Sequence, residues 1–206
     1  MTFPKEEIQR CLFQTVGVLS DTIGLREAYA AGHQGRVQQI ARTLGQLMGL
    51  DEDTVDGLRM AATLHDFGNV LIPQEILNKP GALTDDEWGY IRQHPTYGHE
   101  ILKSIEFPWP VAEIILQHHE HIDGSGYPQG LRGDDILLEA RILCVANVMD
   151  AITHERPWRQ ALSVEEALDW IQKNSGTRYD ATTVDVAVDL YTKQKHRLDP
   201  TYYGRD

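Results

Sequence analysis

Apolar side chains recur three and four residues apart along almost the whole of this chain, and no run alternates convincingly with a period of two. That spacing lines one face of an α-helix, whereas a half-buried strand needs strict alternation. The expected fold class is therefore all-α. From His33 the buried face reads Val37, Ile40, Ala41, Leu44 and Leu47. The run DEDTVDGLRMAATLHDFG, residues 51–68, opens on capping acids, carries Val55, Leu58, Ala61, Ala62 and His65 on one face, and should stop at Gly68. Thr84 with Glu87, and Ser163 with Glu166, are spaced as capping boxes. Pro95 should kink one helix or start another. WPVAEIILQHHE reads as a short helix ending near Glu120, DDILLEARILCVANVMDAIT as a long amphipathic one, and YDATTVDVAVDLYTKQ as the last.

At 206 residues the chain is long enough for one substantial core. A formal charge of −12 argues against a nucleic-acid binder, which would carry a basic face. A small anionic ligand stays open if metals or a few arginines bring positive charge. Cys11 and Cys144 both sit among apolar residues and read as buried thiols. There is no secretory signal and no apolar run near the ~20 residues of a membrane span, so a reduced, cytoplasmic protein is expected.

The histidines do not fit a plain bundle. His33 opens one buried face, and His65 lies one turn beyond Ala61 and Ala62 on another, beside Asp66. His94 follows Ile91 by three, and His118 and His119 follow Ile114 and Ile115 by four. One inward histidine is ordinarily a satisfied core residue. Five of them with an inward aspartate need a shared partner, because buried polar groups must be paired. A divalent metal centre is that partner, and such donors suit iron, manganese, nickel or zinc. Five imidazoles and a carboxylate exceed one tetrahedral ion and suit two ions sharing Asp66. Two ions about 4 Å apart can clamp a phosphoryl group and activate water. His99, His121, His154 and His196 read as solvent-facing.

The text AGHQGRV (31–37), LHDFGN (64–69), IPQEILNKPGALTDDE (72–87), IRQHPTYGHEIL (91–102), HHEHIDGSGYPQGLRGDDI (118–136), EARILCVANVMDAIT (139–153) and RPWRQAL (156–162) resembles the HD-GYP family, a branch of the HD-domain metal-dependent phosphohydrolases. The resemblance runs from about residue 26 to 190. It implies an HD-domain helical bundle over 26–193 with a metal centre in its core, an N-terminal helical segment over 1–25 and a tail over 194–206. It also implies two divalent ions, iron or manganese foremost, and hydrolysis of cyclic di-GMP to pGpG or GMP. His33, His65, Asp66, His94, His118 and His119 fall on the family's ligands. Gly126, Tyr127 and Pro128 complete its name motif beside the metals. Arg156 and Arg159 match positions that contact the ligand's phosphates or guanine, tasks that suit a guanidinium. Asp66 would bridge the ions while activated water attacks phosphorus in line.

The chain departs from this pattern in three places. Asn69 replaces a lysine beside the substrate phosphate. Asn147 replaces a ligand aspartate, and an amide oxygen coordinates without neutralising charge. Asp150, one turn on and on the same face, is a candidate to substitute in the catalytic centre. Tyr29 stands where three-metal members carry glutamate, which points to the two-metal type. Glu27, six residues before His33, would lie well around a continuous helix and not serve instead. Two alternatives stay open: a catalytically weakened module that binds nucleotide or a signalling protein partner, and a hydrolase of another cyclic dinucleotide or nucleotide. Oligomeric state is also open, although the apolar face Ile8, Cys11, Leu12 and Val16 suggests packing of the first helix onto its own domain.

Overall fold

The computed structural model describes residues 4–27, 32–155 and 160–193. Among them the elements are helical: α1 Lys5–Gly24, α2 His33–Leu47, α3 Glu52–Leu64, α4 Gln74–Leu77, α5 Asp85–Ile91, α6 His94–Leu102, α7 Val111–Gln117, α8 Leu138–Thr153, α9 Val164–Lys173 and α10 Ala181–Lys193. Short 3-10 helices cover Phe67–Leu71 and Gly133–Asp135. No described helix is long and apolar enough to cross a membrane.

Helices α3, α5 and α9 start on side-chain caps that the sequence provides. Asp51 accepts from the Thr54 N–H at 2.9 Å. The Thr84–Glu87 and Ser163–Glu166 boxes both close reciprocally, satisfying backbone donors that a helix start leaves open. Pro95 sits in the first turn of α6, so a new helix begins there rather than a kink.

The core is built from α2, α3, α7, α8 and α10. Val37 and Leu44, Leu58 and Ala61, Ile114 and Ile115, Leu143 and Met149, and Val184 and Ala187 are all without exposure. Burying an aliphatic side chain of this size contributes about 1.5–3 kcal/mol, enough to draw the β-branched α10 into a helix against its weak propensity. Leu47, expected inside, is exposed at the end of α2. The expected amphipathic α8 is instead buried on several sides, with Ala140, Ile142, Leu143, Cys144, Val145, Ala146 and Met149 all enclosed. It packs against α2, α3, α7, α9 and α10.

Three further expectations are corrected. The helix expected to run to Gly68 ends at Leu64, and Gly68 lies inside the following 3-10 turn. A Cβ on Gly68 would fall 1.9 Å from the His94 carbonyl oxygen and 2.6 Å from the Gly98 nitrogen. The glycine is there for close approach of that turn to α6, not to cap a helix. Cys144 is buried, but Cys11 is exposed. The cause is the docking of α1, which turns Phe13 and Val16 onto the core and leaves Ile8 and Leu12 outside. Hydrogen bonds from Gln9 to Asp56 at 2.7 Å and from Ser20 to the Thr63 carbonyl at 2.5 Å tie α1 to α3.

Candidate metal centre

Four helix ends converge on one point. His33 opens α2, His65 follows the last turn of α3, His94 opens α6, and His118 and His119 follow α7. His33, His65, His94 and His118 are at most 4% exposed. Each commits its Nδ1 to an oxygen that can only accept. His65 donates to the Ala62 carbonyl at 2.8 Å, His94 to Ile91 at 2.8 Å, His118 to Ile115 at 2.6 Å, and His33 to the Asp150 carboxylate at 2.6 Å. Three of these acceptors are the carbonyl three residues earlier, so the local chain itself selects the tautomer. The Nε2 lone pairs are then left pointing into the middle.

What they meet there is one another and Asp66. The ligand atoms of His33, His65 and Asp66 lie within 4.8 Å of one another, as do those of His94, His118 and His119. Asp66 joins the two groups. Its Oδ2 is 3.6 Å from His33 Nε2 and 3.2 Å from His65 Nε2, and its Oδ1 is 3.5 Å from His94 Nε2. His94 and His118 bring their Nε2 atoms to 3.3 Å. His65 Nε2 is buried with no hydrogen-bond partner among the described residues. Lone pairs facing lone pairs in a buried cluster repel unless a cation lies between them. The donor set of imidazole nitrogens and a shared carboxylate fits divalent metal.

The electrostatics prepare the same state. Burial, and then the neighbouring imidazoles, push His118 and His119 well below the usual histidine range. Burial also lowers His33 and His94. Burial is also the largest single influence on His65, but the charge and hydrogen bond of Asp66, with the Ala62 carbonyl and the Glu27 charge, together outweigh it and the pKa rises. Burial opposes the Asp66 charge, yet His65, His94 and His33 around it hold the carboxyl well below the carboxylate range. Four neutral imidazoles and an anionic carboxylate are in the protonation states that ligation requires, and His65 would give up its proton when a cation binds.

The glycine loop is built against this cluster. A Cβ on Gly126 would lie 2.3 Å from the His121 nitrogen and 2.5 Å from the His119 carbonyl oxygen. Gly124 has φ 79°, a region that favours glycine. The Tyr127 N–H donates to the His119 carbonyl at 3.1 Å, its ring stacks on His119 at 4.7 Å, and its peptide bond to Pro128 is cis. Burial pushes the Tyr127 hydroxyl up. The Arg92 guanidinium lies 5.7 Å from the Tyr127 ring centre. Glu120, read from sequence only as a helix end, is 2% exposed. Its carboxylate accepts from the N–H groups of Gln129, Gly130 and Leu131 at 2.6, 3.1 and 3.0 Å. An acid between the double histidine and a glycine loop was the available signal, since such a loop has backbone donors to satisfy.

The other sequence candidates fall as follows. Arg156, Arg159, Tyr29 and His196 lie outside the described residues. Asn147 is half-buried on α8, one turn before Asp150. Asp150, a candidate replacement ligand, turns instead to His33 and to Arg36, whose Nε is 2.6 Å from its Oδ1. His99, His121 and His154 are half-buried rather than solvent-facing; His154 lies 3.3 Å from Asp150 and His121 3.0 Å from the Ser125 hydroxyl. Asn69 is buried and donates to the Glu27 carboxylate at 2.8 Å. The expectation for Glu27 assumed a helix continuous with His33. Gly32, at φ 74°, breaks that continuity, and Glu27 lies in the turn after α1. Arg26 beside it donates to the carbonyls of Asn69, Val70 and Ile72, holding the turn that carries Asp66 and Asn69.

The family model described as HD domain matches residues 17–183. The chain belongs to the HD-domain family. The double histidine and the Gly-Tyr-Pro loop place this HD domain in the HD-GYP branch. Over 87% of its length it is 38% identical to the cyclic di-GMP phosphodiesterase response regulator RpfG of Xanthomonas campestris, covering 48% of that protein. It is 35% identical to a cyclic di-GMP phosphodiesterase of Thermotoga maritima, over 92% of this chain and 54% of that protein. It is 32% identical to the 3′3′-cGAMP-specific phosphodiesterase 3 of Vibrio cholerae, over 93% of this chain and 42% of that protein. The HD domain thus spans about half the length of the curated relatives it matches. Among solved structures, Bd1817, an HDG"Y"P protein from Bdellovibrio bacteriovorus, superposes with a TM-score of 0.68 over 91% of this chain and 67% of that one, at 21% identity.

Proposed function

We propose that this HD domain is a metal-dependent phosphodiesterase that hydrolyses cyclic di-GMP to pGpG, GMP or both. The observation that carries the reading is the pair of donor groups sharing Asp66, with one oxygen toward each. His33, His65 and Asp66 would hold one divalent ion and His94, His118 and His119 a second, iron or manganese foremost and nickel or zinc as alternatives. Asn147 would add a neutral oxygen donor. When bound, the ions supply Lewis acidity to the phosphodiester and make water at the site more acidic. The protein's own groups do the rest. Asp66 is held anionic between the two donor groups, where it orients both. Tyr127, stacked on His119, would flank the bound nucleotide beside the centre. Arg156 and Arg159 would take phosphate or guanine through forked hydrogen bonds. The working unit is residues 26–193, acting in the cytoplasm.

The names of the relatives support cyclic dinucleotides as the substrate class, and they support two members of it. A second reading, a weakened module that binds nucleotide or a protein partner, is favoured by Asn69, which brings no cation and faces a carboxylate. Purified protein loaded anaerobically with iron or manganese should be offered cyclic di-GMP, 3′3′-cGAMP and linear pGpG, with products separated by chromatography. Formation of pGpG or GMP, abolished in His65→Ala/Asp66→Ala, is the expected result. Binding of nucleotide without turnover would favour the weakened module, and turnover of cGAMP alone would redirect the substrate.

A further inference from the structure

Asp150 lies one turn from the position where the family keeps a ligand carboxylate, and it is 1% exposed. Both of its oxygens are already used. Oδ2 accepts from His33 Nδ1 at 2.6 Å and from an Arg36 terminal nitrogen at 3.2 Å. Oδ1 accepts from Arg36 Nε at 2.6 Å and lies 3.3 Å from His154 Nδ1. The Arg36 fork pairs with the carboxylate's charge, and Asp150 meets the cluster through the outer nitrogen of His33, not among the donor atoms that face one another. Arg36 comes from α2, one turn after His33, and Asp150 from α8, so one carboxylate links the two helices.

His33 also differs from its neighbours. His65, His94 and His118 each find a backbone carbonyl three residues earlier, which selects their tautomer locally. His33 is the first residue of α2, and its Nδ1 donates instead to the Asp150 carboxylate at 2.6 Å. Among the described residues, the hydrogen bond that orients its ring is made with a side chain 117 residues away. We propose that Asp150 is a positioning residue: it holds the proton of His33 on Nδ1, aims the Nε2 lone pair at the Asp66 side of the centre, and does not itself ligate metal. This rests on the reading of the cluster as a divalent-metal centre. A carboxylate behind a ligating imidazole fixes its orientation and raises its basicity, and losing such a partner typically weakens metal binding about 10- to 100-fold.

Two measurements test it. Long-range nitrogen–proton NMR on metal-free protein with ¹⁵N-histidine reports each ring's tautomer; His33→Ala assigns the signal. Equilibrium dialysis against manganese then compares wild type, Asp150→Ala and Asp150→Asn. The expected results are an Nδ1–H tautomer at His33, and about 10- to 100-fold weaker binding of one manganese in Asp150→Ala. Asp150→Asn, which keeps an acceptor oxygen, should retain the tautomer and bind between the two. An Nε2–H tautomer at His33 in wild type, or unchanged affinity in a folded Asp150→Ala, overturns the proposal. If Asp150→Ala does not fold, the wild-type tautomer and Asp150→Asn still decide. Wild-type protein that binds no divalent ion would sink the metal reading itself, a separate outcome visible in the same dialysis.

Discussion

Removing Glu120 should loosen the Gly-Tyr-Pro loop without touching a ligand. Its carboxylate gathers three backbone N–H groups from Gln129, Gly130 and Leu131. A hydrogen bond to a charged group contributes about 1.5–3 kcal/mol, so three would suggest about 4.5–9 kcal/mol. Gln129 and Gly130 are exposed, however, and their N–H groups can turn to water once freed. Only Leu131 keeps a half-buried donor, and the loss in Glu120→Ala should therefore be about 3 kcal/mol. Glu120→Gln is the sharper test. Its amide oxygen can still serve Gln129 and Gly130, but its NH2 would face the Leu131 N–H, donor against donor, for a cost of about 1–2 kcal/mol. Urea unfolding followed by circular dichroism measures both. Limited proteolysis should cut the two variants between residues 121 and 135 before wild type. Activity should fall with loop order, because Tyr127 stacks on His119 from that loop. Unchanged unfolding midpoints in both variants would refute the reasoning.

Gly68→Ala should separate the Asp66 turn from α6, because its Cβ would fall 1.9 Å from the His94 carbonyl oxygen; stability should drop by more than about 3 kcal/mol and manganese binding with it, both read on the purified variant. A thiol reagent at pH 8 should label one cysteine quickly: Cys11 is exposed, while burial pushes the Cys144 thiol up to about 12, so it stays protonated and inert until the protein unfolds. Mass spectrometry of the labelled peptides checks the assignment, and rapid labelling of Cys144 would contradict the packing of α8. Asn69→Lys should raise the turnover rate little by itself, since Glu27 stands 2.8 Å from the Asn69 amide and would pair with the new cation. Asn69→Lys/Glu27→Gln should raise it more, and steady-state rates for both variants settle the order.

Periodicity carried the helices because each buried face is a local property, written every three or four residues and needing no knowledge of the neighbours. The capping boxes at Thr84 and Ser163 were legible for the same reason: both partners lie within one turn. The inward histidines could be named from their own helix faces, and for His65, His94 and His118 even the tautomer is selected by a carbonyl three residues away. The reach of a local rule ended wherever a contact crossed the fold. Gly68 looked like a helix stop, but its lack of a side chain serves a helix that begins 26 residues later. Asp150 looked like a spare ligand, and only the approach of α2 to α8 gave its oxygens to His33 and Arg36. Glu27 looked misdirected until the break at Gly32 placed it against Asn69. Composition and spacing thus determined an all-helical chain whose buried faces carry five histidines and an aspartate. The tertiary structure decided which of those groups face one another and which side chains stand behind them, because a carboxylate's role depends on the partners packing brings to it.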